Sequence, residues 1–395
     1  ASLVGIAVIA AVALFVFFDP NDFREEISAT VKAETGRDLM IEGDLSLSVF
    51  PWIAVEIGRT SLGNAAGFGD EPFLSFEQAR LSVKLMPLLF SQQVEIGTAS
   101  LDSLVVNLAV QENGVTNWDD LSRNDAAATP APATSETESA GKSTTLDIAN
   151  ISIADARIAY SDLQAGSSYA ISGLSMNTGR IAAGSPFDID AEFDFESDPG
   201  ELGGSVSIQG TVLMSEDGNQ LSVDGLNMAG NLRGIAPEPT DFNFDSRAVN
   251  VDSAAETVAL GEMDLAVLGL SMTANVAPFS YAGTPEPRAE LRVHEFSLKE
   301  LMQTLGEVPP ETIDPDALTR VSFAGNAVVG QQAIAVNDIS LQLDDTTMNG
   351  SLSIPTAANG LMKFDLAADT INVDRYMAPA SDVEVVDDAA AVPIE

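Results

Sequence analysis

The chain has 395 residues, 45% hydrophobic and 19% charged, and its 59 acidic residues against 18 basic ones give a formal net charge of −41. Because Lys and Arg are what neutralise phosphate, this balance excludes nucleic acid as a partner and argues against docking on anionic lipid headgroups through a basic patch. The absence of cysteine excludes disulfides, thiolate catalysis and thiolate metal sites.

Residues 1–18 contain no charged residue and no proline. A helix of this length, at ~1.5 Å per residue, spans most of a ~30 Å hydrocarbon core. The bulky run up to Phe18 leads directly into Asp19 without a small-residue cleavage site, so a retained anchor is favoured over a signal peptide. The segment begins without a methionine or a basic flank, and we therefore expect it to be the remainder of a longer transmembrane helix. The residues after it are acidic and make a poor cytoplasmic flank, so we expect the bulk of the chain on the side of the membrane away from the cytoplasm.

A short amphipathic helix is predicted directly after the anchor. The Asp-Pro pair at residues 19–20 is typical of a helix start, and Gly36 of a helix end. Phe23, Ile27 and Val31 form one narrow apolar stripe. Because the helix is acidic rather than basic, we expect the stripe to pack over the end of a sheet rather than on the bilayer surface.

From Arg37 onward the apolar residues alternate with a period of two, which predicts β-strands with one apolar face. The first run is one strand, or two strands that meet at Gly43. Alternation resumes at Leu146 and continues to about Val373. Because the strands do not alternate with long helices, a parallel α/β fold is not expected. About twenty strands would form either an open, curled sheet or two sheets packed as a sandwich.

Composition divides the chain into segments. One of them, a linker, lacks large apolar side chains, so burial of apolar surface cannot offset the conformational entropy that ordering it would cost. The segments are a transmembrane anchor at 1–18, a helix and β-sheet region at 19–121, a disordered linker at 122–143, an elongated β-sheet region at 144–377 with one helical insertion near 297–305, and an acidic linker or tail at 378–395.

No set of residues stands out as a catalytic centre, so we expect that the chain is not an enzyme and uses no cofactor. A Ser-His-Asp relay would have to use His294, the single histidine, for which a polar role at a strand end is favoured. Six carboxylates alternate with apolar residues over 188–198. They could contribute to a Ca²⁺ site, but the spacing does not match an EF-hand loop, and a solvated strand face is favoured.

Several short motifs follow one another along the chain, and in combination they resemble the AsmA family over almost the whole sequence. They are Asp19-Pro20-Asn21-Asp22-Phe23, Thr35-Gly36-Arg37, Ile41-Glu42-Gly43-Asp44-Leu45, Phe50-Pro51-Trp52, Ala66-Gly67-Phe68-Gly69, Met86-Pro87-Leu88-Leu89, Gly114-Val115-Thr116-Asn117-Trp118, Leu305-Gly306, Glu311-Thr312-Ile313-Asp314-Pro315, Phe364-Asp365-Leu366 and Asp374-Arg375-Tyr376.

The resemblance implies a mainly β protein, in which a transmembrane helix and a short amphipathic helix precede a long curved antiparallel β-sheet that forms an apolar groove. It implies a single-pass protein of the bacterial inner membrane with its bulk in the periplasm, related to chorein-type, bridge-like lipid carriers. The implied role is to bind or conduct phospholipids between inner and outer membranes and to support outer-membrane lipid homeostasis. The alternative is an envelope scaffold or assembly factor that acts on outer-membrane proteins through a protein partner.

In such a groove, each CH₂ of an acyl chain would retain about 0.8 kcal/mol of burial energy. No energy source is recognisable, so passive conduction is expected. Trp52 and Trp118 are expected in the core rather than against lipid. The residues that the resemblance and the alternation together nominate for the groove are Leu39, Ile41, Leu45, Leu47, Val55, Ile57, Leu81 and Val83.

Overall fold

The computed structural model describes residues 19–49, 52–90, 95–123, 147–357 and 360–379. Within these ranges the chain is mainly β, as predicted, and forms one large, largely antiparallel sheet of 24 strands with few helices. The predicted anchor at 1–18, most of the predicted linker and nearly all of the predicted tail lie outside the described residues. In the part of the chain that is described, no helix has the length and apolar character needed to cross a membrane.

The helices are short and interrupt or precede the strands. A 3-10 turn at Pro20–Phe23 leads into the first α-helix, and a second 3-10 turn at Val373–Tyr376 follows the last strand. The α-helices are α1 (Arg24–Thr35), α2 (Leu85–Phe90), α3 (Asp119–Arg123) and α4 (Leu298–Thr304). Helix α3 includes residues 122 and 123, the first two residues of the predicted linker.

The strands follow the alternation of the sequence. Their bounds are β1 (Leu39–Ile41), β2 (Leu45–Ser48), β3 (Trp52–Ile57), β4 (Thr60–Leu62), β5 (Leu74–Phe76), β6 (Gln78–Lys84), β7 (Ile96–Asp102), β8 (Val105–Val110), β9 (Asp147–Asp162), β10 (Ser167–Thr178), β11 (Ile181–Ala182), β12 (Pro186–Asp198), β13 (Gly203–Met214), β14 (Gln220–Arg233), β15 (Thr240–Asp252), β16 (Thr257–Leu260), β17 (Glu262–Val267), β18 (Leu270–Val276), β19 (Phe279–Ser280), β20 (Arg288–Phe296), β21 (Val321–Val329), β22 (Ala333–Leu343), β23 (Thr346–Pro355) and β24 (Lys363–Ala368).

Most long strands from β12 onward pair with the next strand of the chain, whereas the first strands pair out of chain order, β1 with β4, β3 with β6 and β5 with β8. Two of the strand pairs are parallel and the others are antiparallel. β7 and β8 both pair with β9 in parallel, so the expected antiparallel sheet is only largely antiparallel. Two parallel neighbours run in the same direction, so the second strand must begin at the side of the sheet opposite to the end of the first. This is the case here, because β8 ends at one side of the sheet and β9 begins at the other. We call the side where β2 meets β3 and β6 meets β7 the lower rim, and the side where β9 meets β10 the upper rim.

Helix α1 covers the first edge of the sheet. It runs antiparallel to the edge strand, with Arg24 in an ion pair to Asp44 at 2.9 Å and Lys32 in an ion pair to Asp38 at 2.5 Å. The helix ends at Gly36, whose φ of 74° is left-handed. An edge strand covered in this way is protected from pairing with other chains.

Candidate functional site

The register of the strands gives the sheet one apolar face from edge to edge. Residues directly opposite each other on paired strands share a face, so a row can be followed across the sheet with one residue per long strand. We call the following set the apolar row: Leu45, Ile57, Ala79, Leu101, Ile153, Met176, Ala191, Ile208, Met228, Phe244, Leu265, Met272, Val293, Phe323, Leu341, Met348 and Ala368. Every member is apolar.

The opposite face is polar along the adjacent row, except at Ala324 and Ala367. We call this set the polar row: Ser46, Glu56, Arg80, Ser100, Ser152, Asn177, Asp190, Gln209, Asn227, Asp245, Asp264, Thr273, Arg292, Ala324, Ser340, Asn349 and Ala367. The two faces therefore differ in chemistry over the whole width of the sheet.

The residues nominated from the sequence all lie on the strands at the first edge. Leu45 and Ile57 belong to the apolar row, and Leu47, Val55 and Leu81 form the next row of the same face. Val83 lies opposite Ile53 and Ile96, while Leu39 and Ile41 lie opposite Leu62 and Thr60. Sequence reasoning did not nominate the apolar positions from β9 onward, although the same alternation marks them.

Many of the strands are interrupted near their middle by bulges, and these explain how a single face stays apolar. In β9, Ile151 and Ile153 precede Asp155, whose φ is 51°. After it the apolar residues change parity to Ala156 and Ile158, yet they remain on the same face because a bulge adds one residue to its strand. Residues with positive φ at similar interruptions are Ser103, Gly173, Gly225 and Asp338. The change of parity is a sequence signal that could have located the bulges.

Burial on the apolar face is deepest beside these interruptions. Ala156 is fully buried next to Asp155, and Val336 and Ile339 are buried on either side of Asp338. Near the strand ends the apolar face opens instead. There the exposed fractions are 54% for Tyr169, 42% for Leu221, 44% for Val329 and 40% for Ile354.

Along β12 the two faces also differ in exposure. The apolar residues at odd positions from Phe187 to Phe195 are half-buried, while the carboxylates between them are exposed. Within the described residues no second sheet lies over this apolar face. Shielding of the apolar side chains therefore comes from neighbours within the same sheet, as expected if the sheet bends toward them at the bulges.

His294 and the carboxylates of β12 lie on the polar face. The His294 Nε2 atom lies 3.0 Å from Thr273 Oγ1, which donates to Asp264 at 2.9 Å. In a nucleophilic relay the imidazole lies between hydroxyl and carboxylate, whereas here the hydroxyl is in the middle. The carboxylates of β12 face neutral residues such as Ser207 and Gln209. Among described residues, no group of three or more carboxylates or histidines is placed to hold a metal ion.

An ion pair between the buried Arg37 and the partly exposed Asp120 at the upper rim joins the end of α1 to α3. Arg37 donates to Asp120 through Nε at 2.9 Å and Nη2 at 2.5 Å, and to the Asn117 carbonyl at 2.5 Å. Its guanidinium also lies 4.6 Å from the centre of the Phe73 ring. The hydrogen bond from Arg37 holds the pKa of the Asp120 carboxyl below its usual value.

Asn117 is the centre of this rim structure and is fully buried. Its side-chain amide donates to Asn64 at 2.9 Å and to the Asn107 carbonyl at 2.8 Å, and it accepts from Ala109 at 2.9 Å. A side chain that satisfies three partners in this way fixes the position of its loop. The next residue, Trp118, therefore has a defined place.

Trp118 begins an aromatic row near the upper rim. Its ring centre is 6.4 Å from that of Tyr160, which is 6.1 Å from that of Tyr169 on the neighbouring strand. Tyr160 and Tyr169 are directly opposite each other on the apolar face. Burial, the first of several causes, raises the pKa of the Tyr160 hydroxyl, and the group lies 3.2 Å from Asp162.

Comparison with known proteins agrees with the motifs. The family model described as "AsmA family" matches residues 1–360. A curated relative, Protein AsmA of Escherichia coli strain K12, is 30% identical over 148 residues, which are 38% of this chain and 22% of the relative. The match thus spans about a fifth of the relative's length. No solved structure matches the chain.

Proposed function

Because the chain belongs to the AsmA family, we propose that its apolar face is a groove that binds the acyl chains of phospholipids and conducts them between the inner and outer membranes. The observation that carries this proposal is the apolar row, which is unbroken from the first edge of the sheet to the last. An acyl chain on this surface keeps about 0.8 kcal/mol for each CH₂ that it removes from water. Through this movement the protein would contribute to outer-membrane lipid homeostasis.

The bulges and the pattern of burial support a groove rather than a closed sandwich. Bulges bend strands, and the buried apolar side chains of Ala156, Val336 and Ile339 lie beside them. The same face opens toward the strand ends, where Leu221 and Ile354 are exposed. A surface of this kind shields an acyl chain along the bend and leaves a headgroup in water at the rim.

The proposed location is the bacterial inner membrane, with one spanning segment and the bulk of the chain in the periplasm. The uncharged residues 1–18 and the acidic residues that follow them support this orientation. The proposed movement is passive and non-enzymatic, and it needs no cofactor. Similar aliphatic positions in every strand would give a lipid no single deep trap.

Site-specific photo-crosslinking tests the proposal directly. Val55 and Leu81 lie opposite each other on the apolar face and are 45% and 49% exposed, while their chain neighbours Glu56 and Arg80 lie on the polar face. A photoreactive amino acid at residue 55 or 81 is expected to crosslink to phospholipid in membranes. The same amino acid at residue 56 or 80 is the matched control and is expected to give little lipid adduct.

Equal lipid adducts on the two faces, or none on either, would refute the groove. Native mass spectrometry of the purified chain provides an independent measurement, because a phospholipid held by the apolar face should co-purify. Loss of the co-purified lipid on Leu81→Glu, with retention on Arg80→Glu, is the expected result.

The last strand favours a second candidate function, that of an envelope scaffold or assembly factor for outer-membrane proteins. All residues of β24 are exposed, and Phe364 is 70% exposed. Among the described strands, none pairs with its outer side, and such an edge can accept an added strand. Leu366→Pro would block strand addition. Loss of a protein partner with lipid crosslinking at residue 81 unchanged would favour the scaffold.

A further inference from the structure

Two connections at the lower rim have an unusual composition for this chain. Residues 45–55 contain the turn from β2 to β3, residues 85–94 contain the connection from β6 to β7 with helix α2, and neither segment holds a charged residue. Later connections at the same rim carry charges, as in residues 214–220 and 252–257. We call the surface formed by Trp52 and α2 the lower-rim tip.

The side chains described at this tip are apolar and accessible. Trp52 is 36% exposed and Met86 is 47% exposed. Trp52 lies opposite Lys84, the residue before α2, and the Lys84 ammonium is 5.8 Å from the indole centre. Lys84 is itself paired with Glu95 at 2.9 Å. The nearest charges therefore cancel, and the tip presents apolar groups without a net charge to repel a lipid surface.

The course of α1 shows toward which rim the start of the described chain lies. The Leu45 backbone N–H donates to the Asn21 side chain at 2.9 Å, so the start of the described chain lies beside the first residue of β2. From there α1 runs from Asp44 toward Asp38, which is toward the upper rim. Asp19, the first described residue, therefore lies on the lower-rim side of α1.

We infer that the lower-rim tip inserts into the interfacial layer of the membrane that holds residues 1–18. This inference rests on the proposed function and deepens it, since it sets the mouth of the groove at the level of the lipid headgroups. Tryptophan and uncharged apolar residues suit that layer, whereas the acidic remainder of the chain does not. A lipid could then pass from the bilayer onto the first strands without crossing water.

Fluorescence quenching in proteoliposomes tests this contact. The full chain has no cysteine, so Met86→Cys carries a single environment-sensitive NBD label at the tip. Leu163→Cys is the matched control, because Leu163 is a 61% exposed apolar residue in a turn at the upper rim. In vesicles of phosphatidylethanolamine and phosphatidylglycerol with nitroxide-labelled phospholipid, quenching is expected to be several-fold stronger at residue 86 than at residue 163.

Intrinsic fluorescence provides a second measurement that leaves the tip unlabelled. The chain has two tryptophans, and Trp118→Phe leaves Trp52 as the only one. Brominated phospholipid is expected to quench Trp52 in the vesicles. Equal NBD quenching at residues 86 and 163, an unquenched Trp52, or a chain that does not enter vesicles would each overturn the inference.

The remaining outcomes separate this inference from the proposed function. In detergent, the label at residue 86 could become more shielded as the protein concentration rises. That result would indicate that a second copy of the chain covers the tip, and it would overturn the inferred membrane contact. Lipid crosslinking at residue 81 is measured in the same vesicles. If crosslinking persists while the tip is unquenched, the groove stands and the inference fails. If both are lost, both fail.

Discussion

A methyl group at Gly230 has no room between β13 and β14. A Cβ there would lie 1.8 Å from the Ser205 carbonyl oxygen and 3.2 Å from the Phe242 ring. Gly230→Ala must therefore separate two paired strands in the middle of the sheet. We expect it to lower the free energy of unfolding by about 1–3 kcal/mol.

Urea denaturation followed by circular dichroism measures this change. Ser207→Ala is the matched control, since Ser207 lies on the polar face of the same strand pair and loses one exposed hydrogen bond, to the Ala229 carbonyl at 3.0 Å. Its effect is expected to stay within about 0.5 kcal/mol. An alanine at residue 230 that cost no more than the control would show that β13 and β14 are not held this closely.

The Arg37–Asp120 pair gives a prediction with a pH dependence. Arg37 is almost fully buried, whereas the Asp120 side chain is 41% exposed. Asp120→Asn leaves the guanidinium without its charge partner, and solvent screening limits the cost to about 1–3 kcal/mol. Arg37→Lys should also destabilise the chain, because an ammonium cannot reproduce the two-point contact.

The sign of the pH effect follows from the lowered pKa of Asp120. The carboxylate contributes its full stability above the unfolded-state pKa, which is about 4, and loses it as pH falls through the lower folded-state value. The difference in unfolding free energy between the parent chain and Asp120→Asn should be constant at neutral pH and shrink below about pH 4. A difference that instead grew on acidification would contradict an ionised Asp120 in the fold.

At the scale of single residues, the sequence predicts the faces better than it predicts the bulges. Leu45 and Ile57 were found by alternation alone and belong to the apolar row. Asp155 was missed, although Ile153 and Ile158 on its two sides have opposite parity. An Asp in a left-handed conformation is tolerated there because its short polar side chain suits that region of φ. Register between strands, however, depends on contacts far apart in the chain.

At the scale of elements, a buried carboxylate holds the loop after α4. Asp344 is fully buried and accepts backbone N–H bonds from Leu318 at 2.8 Å and from Thr319 and Arg320 at 3.2 Å. Burial disfavours its charge, but these hydrogen bonds outweigh burial and hold the pKa of the Asp344 carboxyl below its usual value. Arg375 adds ion pairs at 2.8 Å on either side, to Asp314 and Asp345.

Asp344→Asn should loosen this loop without dissolving the sheet. The Asn amide keeps one accepting oxygen, but its nitrogen cannot accept a backbone N–H, so the bonds on one side of the carboxylate are lost. We expect this to lower the free energy of unfolding by about 1–3 kcal/mol. Hydrogen exchange should rise at Leu318, Thr319 and Arg320 and stay unchanged in β12. Asp345→Asn is the control, since the Asp345 side chain is 73% exposed and accepts from the side chains of Arg320 and Arg375 rather than from the loop backbone. Unchanged exchange at the three amides would contradict the arrangement.

Sequence alternation is a strong guide to strands and a weak guide to how they associate. It predicts the mainly β fold and the change from helix to strand near Arg37. It did not indicate that β7 and β8 pair in parallel with β9, because direction depends on which rim the connecting chain reaches. The domain division proposed from composition stays a prediction. The open or closed form of the sheet was also undecided, since an alternating strand packs equally well in either.

At the scale of the whole molecule, the apolar row raises the question of whether it is a path or a set of separate sites. Ala191 lies near the middle of the row, between Met176 and Ile208. Ala191→Glu would introduce a carboxylate into the apolar face at one point along its length. Gln209→Glu adds the same charge one strand away on the polar face, in register with Asp190, and is the matched control.

If lipids travel along the face, the carboxylate at residue 191 should stop them, because desolvating a charge beside an acyl chain costs several kcal/mol. Transfer of labelled phospholipid from donor to acceptor membranes is expected to be lost in Ala191→Glu and retained in Gln209→Glu. Crosslinking at residue 81, before the block, should persist. Crosslinking at Phe364, the 70% exposed residue on the last strand, should fall. Unchanged transfer would mean that lipid does not pass along the row, and the unbroken face would then serve binding alone.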